Sequence, residues 1–280
     1  SASKIVLSTF FYLSALICYI QYMRNSKWQY LLASVVSSIL AMGCKEQSVI
    51  IVPCLLLFDW MLFKRNMRSL KVYIEKVYYL IPAIAIFIVT LVANKNTGEE
   101  IIGYTIVDRF IFLCYSSFKY LLISAIPFKL SYLYPFPFQV GEKIPMALWI
   151  YPFVILFIGY VIYLNRRKPL LVFCTLFFIL HLLPVLHVIP LPRYVVAADR
   201  YLYIPYIAFA IGLSILSYHL YERQRKWILY AGFLYCSYLC VYTAGYAPAW
   251  KNSDTLKEHF KEVLKKRETN LSINFKHDKQ

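Results

Sequence analysis

The segment ALWIYPFVILFIGYVIYL, residues 147–164, carries no charged side chain, and it ends directly before Asn165-Arg166-Arg167-Lys168. The hydrocarbon core of a bilayer is about 30 Å thick, so an α-helix needs roughly 20 mostly apolar residues to cross it. An apolar run of nearly this length with cations at its end is typical of a transmembrane helix that stops at a membrane surface. This stretch therefore predicts a membrane protein.

The rest of the chain repeats this pattern. Of 280 residues 60% are hydrophobic, whereas soluble domains have roughly 45–50%. The short alternating segments of a membrane β-barrel do not occur. The apolar tracts are 5–23, 28–43, 48–63, 77–93, 109–127, 147–164, 170–189, 204–220 and 227–246. They predict an all-α, polytopic membrane helix bundle.

The net charge of +16 is distributed in alternate loops, which argues against a nucleic-acid partner. One set of loops, which includes 64–76 and 166–168, holds 13 basic residues and only Glu75 and Glu222 as acids. The other set holds six basic and six acidic residues. Because cytoplasmic loops carry an excess of Lys and Arg, the first set is predicted to lie in the cytoplasm.

The tract 109–127 breaks this alternation, because a span here would place Arg166–Lys168 outside. It also carries Arg109 and Lys119, so we expect it to lie as a helix in the outer interface. The prediction is then about eight transmembrane helices and one interfacial helix, with both chain ends outside. Residues 1–247 form the transmembrane domain, including an outer segment 94–146. Residues 248–280 form an extracytoplasmic charged tail with a short amphipathic helix near 253–266.

Two clusters of charged residues near the outer membrane boundary are candidates for function, since ionisable residues are costly there. Lys45 and Glu46 occupy the tight turn between the second and third tracts. Arg193 precedes the segment Asp199-Arg200-Tyr201-Leu202-Tyr203, which lies between two spans on the same side. An Arg can bind a phosphate through two hydrogen bonds, and neighbouring tyrosines can donate to it. Local ion pairs and an interfacial tyrosine belt would give the same pattern.

Other polar groups predict structural roles. Asp59 lies near the cytoplasmic end of its tract, where Lys64 or Arg65 could neutralise it. His181 and His187 do not share a helix face, which predicts a hydrogen bond within the bundle and no metal site. The proline- and tyrosine-rich loop 127–137 is compatible with a lid over the outer surface or with a plain interfacial anchor.

Five segments together resemble a known family. They are AMGCKEQSVIIVPCLLLFDW, YLLISAIPFKLSYLYPFPF, LLPVLHVIPLPRYVVAADRYLYIPYIAF, YAPAWKNSDTLKEHF and the basic inner loop before the first of them. In this order they resemble the membrane part of the transmembrane and tetratricopeptide repeat-containing O-mannosyltransferase-like family and its bacterial relatives. The resemblance extends over nearly the whole chain, to about Lys265. The family consists of GT-C-type glycosyltransferases.

The resemblance implies transfer of a sugar, such as mannose, from a polyprenyl or dolichyl phosphate to a protein or glycan acceptor. The reaction would take place on the non-cytoplasmic face of a multi-pass membrane protein, in the bacterial inner membrane rather than the endoplasmic reticulum. Lys45, Arg193, Arg200, Tyr201 and Tyr203 would bind the donor phosphate. Glu46 and Asp199 are the candidate catalytic carboxylates, or they orient these cations. No cofactor is expected apart from the lipid-linked donor.

The chain also departs from the family pattern. Family members begin with further spans and an outer loop that bears a catalytic acidic residue, and Ser1-Ala2-Ser3 aligns just beyond it. We therefore expect this chain to be an N-terminally truncated part of such an enzyme. The alternatives are a transporter or lipid-linked sugar flippase, and a non-catalytic membrane scaffold. A transporter commonly places ionisable groups near the bilayer midplane, whereas those seen here lie at the boundary.

Overall fold

The computed structural model describes residues 2–95, 104–128, 130–131, 133–187, 195–223, 225–252 and 255. In these segments the α-helices are α1 (Ala2–Asn25), α2 (Trp28–Cys44), α3 (Ile51–Met61), α4 (Leu70–Lys95), α5 (Ile106–Ala125), α6 (Ile150–Leu164), α7 (Pro169–Leu182), α8 (Pro205–Arg223) and α9 (Arg225–Tyr246). Short 3-10 helices precede α3 and α6 and follow α7 and α9. The described segments contain no β-strand, and the predicted all-α class is confirmed.

Four helices are long and apolar enough to cross a membrane: Ser3–Asn25, Leu70–Thr90, Met146–Leu164 and Lys226–Tyr246. Trp28–Cys44 and Pro169–Val185 are apolar but shorter. These helices indicate a membrane protein. They provide four of the eight predicted spans at the required length. The third tract is divided between a 3-10 helix, Glu46–Ile50, and the 11-residue α3.

The outer surfaces of the long helices fit contact with lipid. None of the residues of α6 is buried, and its Phe153 and Leu156 are about 70% exposed. Phe233 of α9 is 72% exposed. Apolar surface of this extent is costly in water, whereas hydrocarbon chains accommodate it.

Helices α1, α2 and α4 pack together through tyrosines and small polar residues. The hydroxyl of Ser34 on α2 donates to the Ala15 carbonyl of α1 at 2.7 Å, and the Tyr79 hydroxyl of α4 donates to Ser34 at 2.8 Å. Small residues at helix interfaces allow close approach, and their hydroxyl groups add interhelical hydrogen bonds. At its N-terminal end α1 meets the Lys45 turn, because Ser8 and Ser48 are hydrogen-bonded at 2.7 Å.

The opposite end of α1 meets a buried cluster of charged residues. The carboxylate of Asp59 accepts hydrogen bonds from Lys76 and from Tyr19, both at 2.6 Å, and lies 3.4 Å from Arg65. Arg65 also pairs with Glu75 at 2.5 Å. Arg65 was one of the two neutralising partners predicted for Asp59, and Lys76 is the closer cation.

Glu75 and Lys76 correct the loop boundary predicted from sequence. Helix α4 begins at Leu70 rather than at Val77, so both residues lie inside it, and each is buried. From the sequence, both were counted among the charges of a cytoplasmic loop. The reason is that Asp59 and Arg65, brought in by other elements, neutralise them and allow the helix to continue through them.

Candidate functional site

An isolated bridge fixes the backbone that leads to Asp199. The Tyr134 amide donates to the Ala197 carbonyl at 2.9 Å, and the Val196 amide donates to the Tyr134 carbonyl at the same distance. A 3-10 helix, Asp199–Leu202, then leads into α8. The segment after α5 and the segment before α8 therefore hold each other next to Asp199.

The carboxyl group of Asp199 is buried. In the part of the chain that the structure describes, neither of its oxygens has a hydrogen bond of regular geometry. Burial raises its pKa to about 7. The Tyr134 hydroxyl, the Ser131 amide and the Lys119 ammonium group partly oppose this shift, because each favours the ionised form. Asp199 can therefore exchange a proton near neutral pH, as a general acid or base requires.

Lys119 reaches this region from α5, the helix predicted to lie in the interface. Its ammonium nitrogen lies 4.6 Å from the centroid of the Tyr134 ring, and the next residue, Tyr120, accepts a hydrogen bond from the Ala198 amide at 3.2 Å. Burial lowers the pKa of Lys119, and the Asp199 carboxylate opposes that change. The electrostatic interaction between Lys119 and Asp199 therefore connects α5 with the residues before α8.

The guanidinium group of Arg200 packs against Tyr201. Its central carbon lies 5.1 Å from the ring centroid, and Nη2 lies 3.5 Å from the Tyr201 hydroxyl. The ammonium group of Lys45 lies 6.0 Å from the same ring centroid. Cations from two separate elements thus meet at one aromatic ring, at the attractive distances of cation–π contacts. Within the described residues, Asp199 and Arg200 do not pair with each other, although they are adjacent in sequence.

Arg200 and Tyr203 line two cavities at this end of the bundle. The smaller, of about 40 Å³, also contains Lys45, Tyr201 and His181 in its wall. A space of this size holds water but lies far below the roughly 300–1,000 Å³ of small-ligand pockets. The larger, of about 300 Å³, is lined by Ile5, Leu130, Asp199, Arg200, Tyr203, Tyr246 and Trp250. Its volume is at the lower end of the range for small-ligand pockets.

Tyrosines of α9 hold the wall of the larger cavity. The Tyr235 and Tyr238 hydroxyls donate to the carbonyls of Ala125 and Pro127 at 2.8 and 2.6 Å. The Leu130 amide donates to the Tyr242 hydroxyl at 2.9 Å. Helix α9 is attached by these bonds to the segment that follows α5, although little of its own surface is buried.

The predicted site residues are brought together in part. Lys45, Arg200, Tyr201 and Tyr203 line one cavity, and Asp199 lines the other beside Arg200. Glu46 pairs with Lys45 at 3.6 Å, but its side chain is 51% exposed and lines neither cavity. Arg193 and, apart from Thr255, the proposed tail helix lie outside the described residues.

Four residues near Asp199 were missed from sequence: Lys119, Tyr134, Tyr246 and Trp250. Lys119 was used only as evidence that its helix is interfacial. The spacing of Tyr235, Tyr238, Tyr242 and Tyr246 on one helix face was the available signal for a polar contact along α9.

No protein-family model, curated protein or solved structure matches the chain. The described residues contain no group of three or more His, Cys, Asp or Glu side chains that could hold a metal ion. His181 is engaged otherwise: its Nδ1 is hydrogen-bonded to the Phe177 carbonyl at 2.8 Å, so Nε2 accepts the Tyr12 hydroxyl at 2.8 Å. The hydrogen bond that was predicted for this histidine is confirmed.

Proposed function

We propose that this chain is part of a membrane glycosyltransferase that moves a sugar from a polyprenyl phosphate to a hydroxyl group of a protein or glycan. The observation that carries the proposal is that Asp199 and Arg200 line the same cavity of about 300 Å³. A carboxyl group with a pKa near 7 beside a cation is the combination that such a transfer requires.

The reaction forms a bond between the acceptor oxygen and the anomeric carbon of the sugar. The bond from that carbon to the phosphate oxygen breaks, and the lipid phosphate leaves with the electron pair. The acceptor hydroxyl loses its proton, which the ionised carboxylate of Asp199 takes up. A carboxyl group that titrates near pH 7 combines adequate basicity with a large ionised fraction at that pH.

Arg200 supports the departure of the phosphate. Its guanidinium group is always charged and presents paired N–H donors, which match two phosphate oxygens. Contact with the Tyr201 ring holds this group in place, and Lys45 adds a second cation at the same ring. The larger cavity, rather than the small one beside Lys45, has room for the phosphate-linked sugar.

The membrane position of the site agrees with a lipid-linked donor. Asp199 and Arg200 lie at the end of the bundle where α1 begins, opposite the Asp59 cluster. The charge distribution predicts that this end faces away from the cytoplasm. The proposal includes a GT-C arrangement of spans and a location in the bacterial inner membrane.

If the protein were a transporter, the candidate ion-binding site would be the buried cluster of Asp59, Arg65, Glu75 and Lys76. Each of these side chains contacts an oppositely charged one in the cluster, and a tyrosine adds to it. Such mutual neutralisation favours a structural role over the binding of a transported ion.

The test is sugar transfer from a radiolabelled polyprenyl-phosphate sugar by membranes that contain the chain, with any upstream segment of its natural protein. Asp199→Asn keeps the size of the side chain but cannot accept the proton, and we expect a loss of about a hundredfold or more, the usual range for a general base. Glu222→Gln is the matched control, because Glu222 is exposed in the last turn of α8 and lines neither cavity, and it should keep its rate. Equal rates for the Asp199→Asn variant and the parent would remove Asp199 from the reaction. Absence of transfer by the parent protein, with lipid-linked sugar crossing the membrane instead, would favour the flippase.

A further inference from the structure

The wall of the larger cavity combines two kinds of surface. Tyr246 and Trp250 provide aromatic rings, while Asp199 provides a buried carboxyl group. Ile5 and Leu130 add apolar surface, and Arg200 and Tyr203 complete the lining. Small-ligand sites commonly combine such surfaces with a few polar groups that fix the orientation of the ligand.

A pyranose ring matches this combination. One of its faces presents C–H bonds, which pack on the face of an aromatic ring because that face carries partial negative charge. Its hydroxyl groups lie around the edge and donate hydrogen bonds to a carboxylate. A hydrocarbon chain would leave the buried carboxyl group without a partner of this kind, which is costly.

Neighbouring residues hold the rings of Tyr246 and Trp250 in a defined position. The ring of Tyr246 stacks on Tyr242 with centroids 6.1 Å apart, and Trp250 meets Tyr246 edge to face at 6.4 Å. Tyr242 in turn accepts the hydrogen bond from the amide of Leu130, a cavity residue. Trp250 follows α9 in the 3-10 helix Ala247–Trp250. The position of α9, fixed in part by the hydrogen bond between Leu130 and Tyr242, therefore determines where the Trp250 ring lies.

We propose that Trp250, supported by Tyr246, is the surface on which the sugar ring packs. One oxygen of the Asp199 carboxylate accepts a hydrogen bond from a hydroxyl group of this sugar, and the other takes the acceptor's proton. The inference rests on the proposed function for the identity of the sugar as part of a lipid-linked donor. Trp250 then determines affinity for the sugar, whereas Arg200 binds the phosphate.

Binding is tested apart from transfer by the fluorescence of Trp250. The chain has five tryptophans, and replacement of the other four by Phe leaves Trp250 as the only one. The protein is placed in phosphatidylcholine nanodiscs, free of sugar-based detergent, and titrated with methyl α-mannopyranoside and methyl β-glucopyranoside. We expect a saturable change of Trp250 emission with at least one of them and none with glycerol.

Transfer kinetics provide the second measurement. Loss of an aromatic contact of this type corresponds to a roughly threefold to tenfold rise in KM for the donor, which we expect for Trp250→Leu. Trp250→Phe retains a ring and should recover most of the loss. Trp227→Leu is the matched control, because Trp227 lies at the other end of α9 and is 74% exposed. Melting temperatures of all variants are measured on the same preparations.

The outcomes separate the two proposals. A saturable emission change without any transfer would support the sugar surface and contradict the glycosyltransferase. Transfer with an unchanged KM in Trp250→Leu would leave the glycosyltransferase standing and overturn the role of Trp250. Absence of a saturable emission change with either sugar also overturns it, and the single-tryptophan protein gives this result whether or not the Leu variant folds.

Discussion

The buried charge cluster gives a stability prediction for Asp59→Asn. The side chain of Asp59 is fully buried and accepts hydrogen bonds from Tyr19 and Lys76 at 2.6 Å. Asn has the same shape but no charge. After the change, Lys76, whose side chain is 4% exposed, keeps a 2.5 Å contact with Tyr19 and only a 4.0 Å contact with Glu75.

The magnitude follows from leaving a buried charge without its partner. Removal of one member of a buried ion pair costs about 3–5 kcal/mol. Glu46→Gln makes the same chemical change in an exposed pair, whose two atoms are 3.6 Å apart, and exposed pairs contribute about 0–1 kcal/mol. We therefore expect the free energy of unfolding to fall several times more for Asp59→Asn than for Glu46→Gln.

The assay is reversible unfolding in mixed micelles with increasing sodium dodecyl sulfate, followed by circular dichroism. A double-mutant cycle with Lys76→Met identifies the pair. The double variant removes both charges, so its loss should be smaller than the sum of the single losses by about 1–3 kcal/mol. Additive losses would show that Asp59 and Lys76 do not stabilise each other. A loss below about 1 kcal/mol for Asp59→Asn would refute the view that the cluster is desolvated.

Three further predictions concern the site and the topology. Arg200→Lys should lower the transfer rate roughly tenfold to a hundredfold, because a charged hydrogen bond of about 1.5–3 kcal/mol is lost; an unchanged rate in a stable variant would contradict this. The pKa of Asp199 is raised by burial from its ordinary 3.8 to about 7, so the folded state holds its proton more tightly. The parent should then lose stability relative to Asp199→Asn as pH rises from about 4 to about 7, and parallel curves would refute the shift. In a cysteine-free background, single cysteines at Thr105 and Leu130 should react with an impermeant maleimide in intact cells, whereas one at Arg167 should not; labelling of Thr105 and Leu130 from opposite sides would make α5 a span.

The sequence by itself determined where the helices lie and that they belong in a membrane. An apolar tract such as 147–164 is a local property, and the thickness of a bilayer makes its length meaningful without knowledge of the partners. It also singled out Lys45, Glu46, Arg193 and the segment from Asp199 to Tyr203 as candidate site residues, since charges and tyrosines beside apolar tracts are conspicuous. The sequence did not predict that Glu75 and Lys76 are buried, because the residues that neutralise them, Arg65 and Asp59, lie in other elements.

Only the tertiary structure decided which side chains surround Asp199. Lys119, Tyr134 and Tyr246 reach it from helix α5, the loop after it and α9, and none of their local patterns specifies that meeting. The bond from the Tyr235 hydroxyl to the Ala125 carbonyl joins residues 110 positions apart. Contacts at such separations depend on how whole helices pack. The burial that moves the pKa of Asp199 to about 7 is therefore a property of the assembled bundle, because desolvation requires all of its walls at once.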